Sequence, residues 1–161
     1  VVSSPLTLSH DLADDAAYDR AWPVVGNAEA IRVDQAWAGD AGRLLMTGEP
    51  QAEHQLYHGA GCECVYSAAL PGWAVFAKRL DAGATEAAAV AINFANESLP
   101  AASISVPLSQ IFDAGDASPW AAVSETEVWS GERRELGEID AWHVPPLAAR
   151  SSFFVTLARR S

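Results

Sequence analysis

Four residues able to ligate a metal fall close together in the chain: His54, His58, Cys62 and Cys64. Neutral imidazole and thiolate are ligands that zinc accepts, and four of them would complete a tetrahedral site. The spacing argues against it. Gly59 and Gly61 interrupt any helix that could set both histidines on one face, and zinc sites with paired cysteines ordinarily space them Cys-x2-Cys rather than Cys-x-Cys. The commoner chemistry of such a stretch is an exposed loop with free thiols, or a disulfide to a cysteine upstream of Val1. A bond between Cys62 and Cys64 would close a very small, strained ring. No metal is expected, and two cysteines do not make a disulfide framework.

Other reactive constellations are missing from the sequence. It has no glycine-rich phosphate loop, no Ser-His-Asp pattern and no nucleophile elbow around Ser3, Ser4 or His10. Asn96-Glu97-Ser98 is an N-x-S acceptor just after an apolar run, where a surface loop is expected, so Asn96 is a candidate glycosylation site. Six tryptophans could stack on the apolar faces of sugar rings. Trp73, Trp129 and Trp142 lie in or beside expected strands and are expected in the core. Trp120, after Ser118-Pro119, is expected at the surface.

The elements that would position these residues fall into two textures. Pro5 to Leu8 is strand-compatible, with Pro5 at a strand's first residue. Asp11 to Val25 is alanine-rich with helical spacing, has Asp14 and Asp15 near its start, and is bent or ended by Pro23. Asn27 can cap a second, short helical turn, Ala28 to Ala30, before Ile31-Arg32-Val33. Residues 1–42 thus read as strand, helix and loop, a single βα unit that cannot bury its own apolar face.

From Arg43 onward short apolar runs recur between Gly, Pro, Asn and Asp. Trp73 to Leu80 and Ala87 to Phe94, separated by Asp81-Ala82-Gly83-Ala84, predict a hairpin. Ser103-Ile104-Ser105-Val106 alternates as a half-buried strand should. About eight such strands predict a mainly β domain, an antiparallel sandwich over 43–161.

Composition narrows the partners. Ten basic against 21 acidic residues give a net charge of -11, which repels phosphate backbones and anionic lipid, so neither nucleic acid nor membrane is an expected partner. No apolar run approaches a membrane span, and no signal peptide is visible in the sequence.

Ser4-Pro5-Leu6-Thr7-Leu8-Ser9-His10-Asp11-Leu12, followed by Asn27-Ala28-Glu29-Ala30-Ile31-Arg32-Val33-Asp34-Gln35-Ala36-Trp37-Ala38-Gly39, resembles the end of the catalytic barrel in α-galactosidases of glycoside hydrolase family 27. Val75-Phe76-Ala77-Lys78-Arg79-Leu80 is similar to the "V-W-A-K-P-L" strand of that family's C-terminal sandwich, and Ala87 to Asn93 to its "A-V-A-L-L-N" strand. Val144 to Ser151 fits the segment before the family's last strand. Asp34 stands where the family has Asn, Arg79 where it has Pro, and 51–69 has no counterpart.

The resemblance implies that 1–42 is the closing βα unit of a (β/α)8 barrel and 43–161 the sandwich that follows it. It implies retaining hydrolysis of terminal α-D-galactosides by two aspartates held about 5 Å apart, with no cofactor. The family's "K-x-D" and "W-N-D-P-D-M" motifs are missing, so no catalytic residue is expected in this chain; both aspartates would lie upstream, and the chain alone would be inactive. Asp11, at the end of the implied last barrel strand, is a weak substrate-binding candidate, with helix capping as its commoner role. The implied partners are the upstream barrel and, through it, the α-galactoside; the implied location is secreted, lysosomal or vacuolar. Two alternatives stand beside this reading: a stand-alone carbohydrate-binding or interaction sandwich, and a parent enzyme acting on α-N-acetylgalactosaminides.

Overall fold

Two helices precede the strands, and each starts on a side chain placed to cap it. The computed structural model describes residues 14–50, 54–57, 65–68, 70–113 and 120–159, with the backbone alone at 54–57, 65–68 and 120–122. The expected opening strand and Asp11 lie outside them. Helix α1 (Asp15–Val25) begins where Asp14 accepts from the amides of Ala16 and Ala17 at 3.0 and 3.2 Å. Pro23 sits in its last turn, and the helix stops two residues later, where the Gly26 amide donates to the Trp22 carbonyl. Helix α2 (Ala28–Gln35) begins on Asn27, whose Oδ1 accepts from the Ala30 amide at 2.8 Å. It runs through Ile31-Arg32-Val33 and so is longer than the short turn the sequence predicts.

The strands follow: β1 (Arg43–Thr47), β2 (His54–Tyr57), β3 (Val65–Ala68), β4 (Trp73–Arg79), β5 (Glu86–Asn93) and β6 (Ser105–Pro107). After a short helix α3 (Leu108–Phe112) come β7 (Trp120–Glu127), β8 (Arg133–Ile139), β9 (Ala141–His143) and β10 (Ser152–Arg159). Six form one antiparallel sheet in the order β1-β4-β5-β10-β7-β8, while β2 pairs with β3 and β6 with β9. The expected β4–β5 hairpin forms, with Trp73 opposite Asn93 and Arg79 opposite Ala87. Gly137, opposite Val123 where the β7–β8 register shifts, has φ +75°, a bulge conformation that glycine adopts without a Cβ penalty.

Alternation along the strands sends side chains to two different interiors. One face of the sheet carries Val75, Ala77, Ala87, Ala89, Ala91, Val123, Val155 and Leu157. It packs on the β6–β9 pair and α3, whose Val106, Trp142, Ile111 and Phe112 are buried. This is a sandwich with one wide layer and one narrow layer. Alanine in the β5 core positions lets the second layer approach closely. The other face buries Ala88, Val128 and Phe154 beneath Val33, with Ala30 and Ala36 packed against them, so α2 covers it.

Three polar contacts hold α2 in place. At its start, Asn27 Nδ2 donates to the Val128 carbonyl at 3.0 Å. In its middle, Arg32 bridges Glu29 and Glu86, with its shortest contacts at 2.6 Å; this cluster is partly exposed and contributes modestly. At its end, Lys78 of β4, the chain's one lysine and only 2 % exposed, donates from Nζ to the carbonyls of Val33 (2.6 Å) and Asp34 (3.0 Å). Burial lowers the Lys78 pKa, against an opposing pull from the Asp34 charge.

Lys78→Met should leave those two carbonyls without their donor and cost about 1–3 kcal/mol, read as a lower urea midpoint. An unchanged midpoint would show that the lysine does not secure the helix. At the opposite edge, a Cβ on Gly48 would meet Trp73 Nε1 at 2.5 Å. Gly48→Ala is expected to destabilise by about 1–3 kcal/mol in the same measurement.

Candidate functional site

A glycosidase acid needs a carboxyl whose pKa is raised. The described carboxyls with perturbed titration all move the other way. Burial alone would raise the pKa of Asp81, in the β4–β5 turn, but four donors outweigh it and hold it low. These are the amides of Gly83 (3.1 Å), Thr85 (2.9 Å) and Glu86 (2.8 Å) and the Thr85 hydroxyl (2.9 Å). Glu127 is likewise pulled low, because Ser130 and the Trp129 amide overcome its desolvation. Glu29 is lowered chiefly by its hydrogen bonds from Arg32. Glu125, buried on β7, accepts from Trp142 Nε1 at 2.6 Å and from the Arg134 guanidinium, with Nε at 3.0 Å. These carboxylates stabilise turns and packing, a structural use of charge.

The residues singled out by sequence scatter. His54 belongs to β2, while His58, Cys62, Cys64 and Asp11 lie outside the described residues. Among the described residues no group of three or more His, Cys, Asp or Glu could hold a metal ion. Asn96 is exposed in the loop after β5, where its Oδ1 accepts from Arg150 Nε at 2.8 Å. That loop is organised by the buried Asn93, whose Nδ2 donates to the carbonyls of Glu97 and Ala148 and whose Oδ1 accepts from the Ala95 amide. Lys78 and Asn93, the buried polar residues of the two strands that carry the resemblance, thus do structural work.

The tryptophans divide differently from expectation. Trp142 is fully buried as expected, and Trp73 lies over Gly48. Trp129, expected in the core, is 45 % exposed and meets Phe154 edge-on, because it sits in the β7–β8 turn and not on a strand. The Trp120 side chain lies outside the description.

Several large apolar side chains stand uncovered on and just after the helices. No residue of α1 is buried. Tyr18 and Trp22 stack on each other at 5.2 Å and 16°, and Trp22 is 53 % exposed. Val24 is 55 % and Trp37 65 % exposed. Among the described residues, nothing supplies a further layer on which the side chains of this alanine-rich helix, with its two stacked aromatics, could pack. Sequence reasoning missed Trp22 and Trp37, although a tryptophan beside Pro23 and another just before Gly39 stand in places where a core has little to pack against.

No protein-family model matches the chain, and no curated protein matches it. Solved structures do match, at the level of the fold. The α-galactosidase I of Mortierella vinacea superposes with a TM-score of 0.65 over 99 % of this chain and 34 % of its own, at 13 % identity. A Geobacillus stearothermophilus β-L-arabinopyranosidase of family GH27 gives 0.56 over 97 % of this chain and 27 % of its own, at 18 % identity. A Bacillus halodurans protein assigned as an α-N-acetylgalactosaminidase gives 0.57 over 98 % and 29 %, at 12 % identity. The mostly β fold with its six-stranded antiparallel sheet therefore matches the C-terminal β domain of these glycosidases, and the chain spans about a third of the length of the structures it resembles.

The lowered Asp81 pKa carries a sign that can be checked. A carboxylate favoured in the fold stabilises above its unfolded pKa, about 3.9, and loses that contribution as pH falls through its folded value. Asp81→Asn should therefore be less stable than the parent chain at neutral pH, with the gap narrowing as pH drops below about 4. A gap that stays constant down to acid would show that Asp81 acts without its charge.

Proposed function

We propose that a chain with the fold of a family-27 C-terminal β domain serves the same part in a glycosidase. In this reading residues 43–161 form the sandwich and residues 1–42 close a (β/α)8 barrel. The whole protein hydrolyses terminal α-D-galactosides with retention, using two aspartates of the barrel upstream of this chain.

The uncovered helical face carries the proposal. Tyr18, Trp22, Val24 and Trp37 present aromatic and aliphatic surface that water does not favour. The matched structures are roughly three times as long as this chain, so in a protein of that size the same face has a partner layer available.

The choice of sugar comes from the sequence resemblance, since one fold is shared by an α-galactosidase and a β-L-arabinopyranosidase. The domain is therefore a scaffold on which specificity is not written. An α-N-acetylgalactosaminide remains the competing substrate. A secreted, lysosomal or vacuolar location with a glycan on Asn96 belongs to the same reading. Among the described residues, no helix is long and apolar enough to cross a membrane.

The test uses the reading frame extended upstream of Val1. The extended protein should contain a Lys-x-Asp strand end and should hydrolyse p-nitrophenyl α-D-galactopyranoside, while the 161-residue chain shows no turnover above the uncatalysed rate. Turnover by the chain alone, or an upstream sequence without that motif, would overturn the proposal.

A further inference from the structure

A concavity opens where β7, β8 and β10 approach the connection between β9 and β10. Its volume is about 140 Å³, and its walls are Glu127, Glu132, Arg134, Pro145 and Phe153. Two of these residues are fixed through one buried carboxylate. Glu125 Oε1 accepts from Arg134, and its Oε2 accepts from Trp142 Nε1. The Trp142 ring in turn lies nearly parallel to Phe153, at 6.3 Å and 15°. Guanidinium and aromatic ring are therefore held relative to each other before any ligand arrives, which lowers the entropic cost of binding. Glu127 is fixed too, with Oε2 accepting from the Ser130 amide at 2.6 Å.

The lining keeps hydrogen-bonding capacity to spare. Arg134 commits Nε and Nη2 to Glu125, while Nη1 makes no hydrogen bond among the described residues. The Glu132 carboxylate accepts none among them, and its residue is exposed. A charged ligand fits this mixture poorly. An anion would meet two carboxylates, and a cation would meet the guanidinium. A purely apolar ligand would take Arg134 Nη1 and the Glu132 carboxylate out of water without replacing their hydrogen bonds. A hydroxyl donates and accepts at once, so a ring of hydroxyls can give protons to Glu127 and Glu132 and accept from Arg134. The C–H face of the same ring can rest on Phe153 and Pro145.

We propose that this concavity binds a single neutral pyranose, so that the sandwich carries a monosaccharide subsite of its own. The inference does not depend on the role proposed for the whole protein. It concerns binding by this chain, whereas that role is tested by turnover in the extended one, so either can fail alone.

The experiment is a titration of the ¹⁵N-labelled 161-residue chain with D-galactose and D-glucose, followed by amide and indole chemical shifts. Saturable shifts in the millimolar range are expected at Glu127, Glu132, Arg134 and Phe153 and at the Trp142 indole N–H. Glu132→Gln removes one charged acceptor from an exposed side chain that makes no internal hydrogen bond, so the fold should be kept. It should weaken binding about tenfold, as expected for one hydrogen bond to a charged group. The subsite is overturned if neither sugar gives saturable shifts, if glycerol produces the same shifts, if Glu132→Gln binds as the parent does, or if guanidinium ion occupies the concavity and the sugars do not.

Discussion

A buried ammonium on the far side of a β-sheet holds this molecule's helical and sheet parts together. Lys78 projects from β4 onto the face that α2 covers, and meets the last carbonyls of that helix. Helix C-terminal carbonyls lack internal donors and carry the negative end of the helix dipole, so a cation there answers both needs. The cost is desolvation of the lysine, visible in its lowered pKa. The gain is that α2 cannot slide or rotate without stranding a charge. Asn27 fixes the other end to Val128, and Val33 is sealed between them. Helix α1 packs on α2 and so takes its position from the same clamp.

Much of the sheet was legible because its signals are local. The Trp73–Asn93 hairpin announces itself by two apolar runs around an Asp-Ala-Gly-Ala turn, and Asp81 in that turn then collects four donors. Ser103 to Val106 alternates and is alternately exposed and buried. Asn27 caps α2 as its type suggests, while Asp14, expected inside the first helix, is its cap. Elements without local signals were missed. β8, Arg-Arg-Glu-Leu-Gly-Glu-Ile, is charged because it is an edge strand, and charge is what discourages a further strand from pairing there. Leu108–Phe112, for which the sequence predicts no element of its own, follows Pro107 and folds as a helical turn that Asp113 ends in the left-handed region.

The functional reading was less legible for a physical reason. The destination of Lys78 lies more than forty residues away in sequence, so its motif gives the residue and not its task. Exposure of Trp22 and Trp37 is a property of what fails to pack on them, which composition does not report. The support shared by Arg134 and Phe153 exists only once Glu125 and Trp142 are brought across the sandwich. His58, Cys62, Cys64 and Asp11 lie outside the described residues, so the sequence remains the sole source for them.

The central claim is that the α1 face and Trp37 form an interface for the rest of a larger glycosidase. Hydrogen–deuterium exchange at the amides of Asp15–Val25 tests it most directly, comparing this chain with the protein expressed from the extended reading frame. A helix with no buried residue opens easily, whereas one covered by a further layer opens only with its domain. The account predicts rapid exchange across α1 in the 161-residue chain and strong protection in the extended protein. Equal exchange in the two would contradict it.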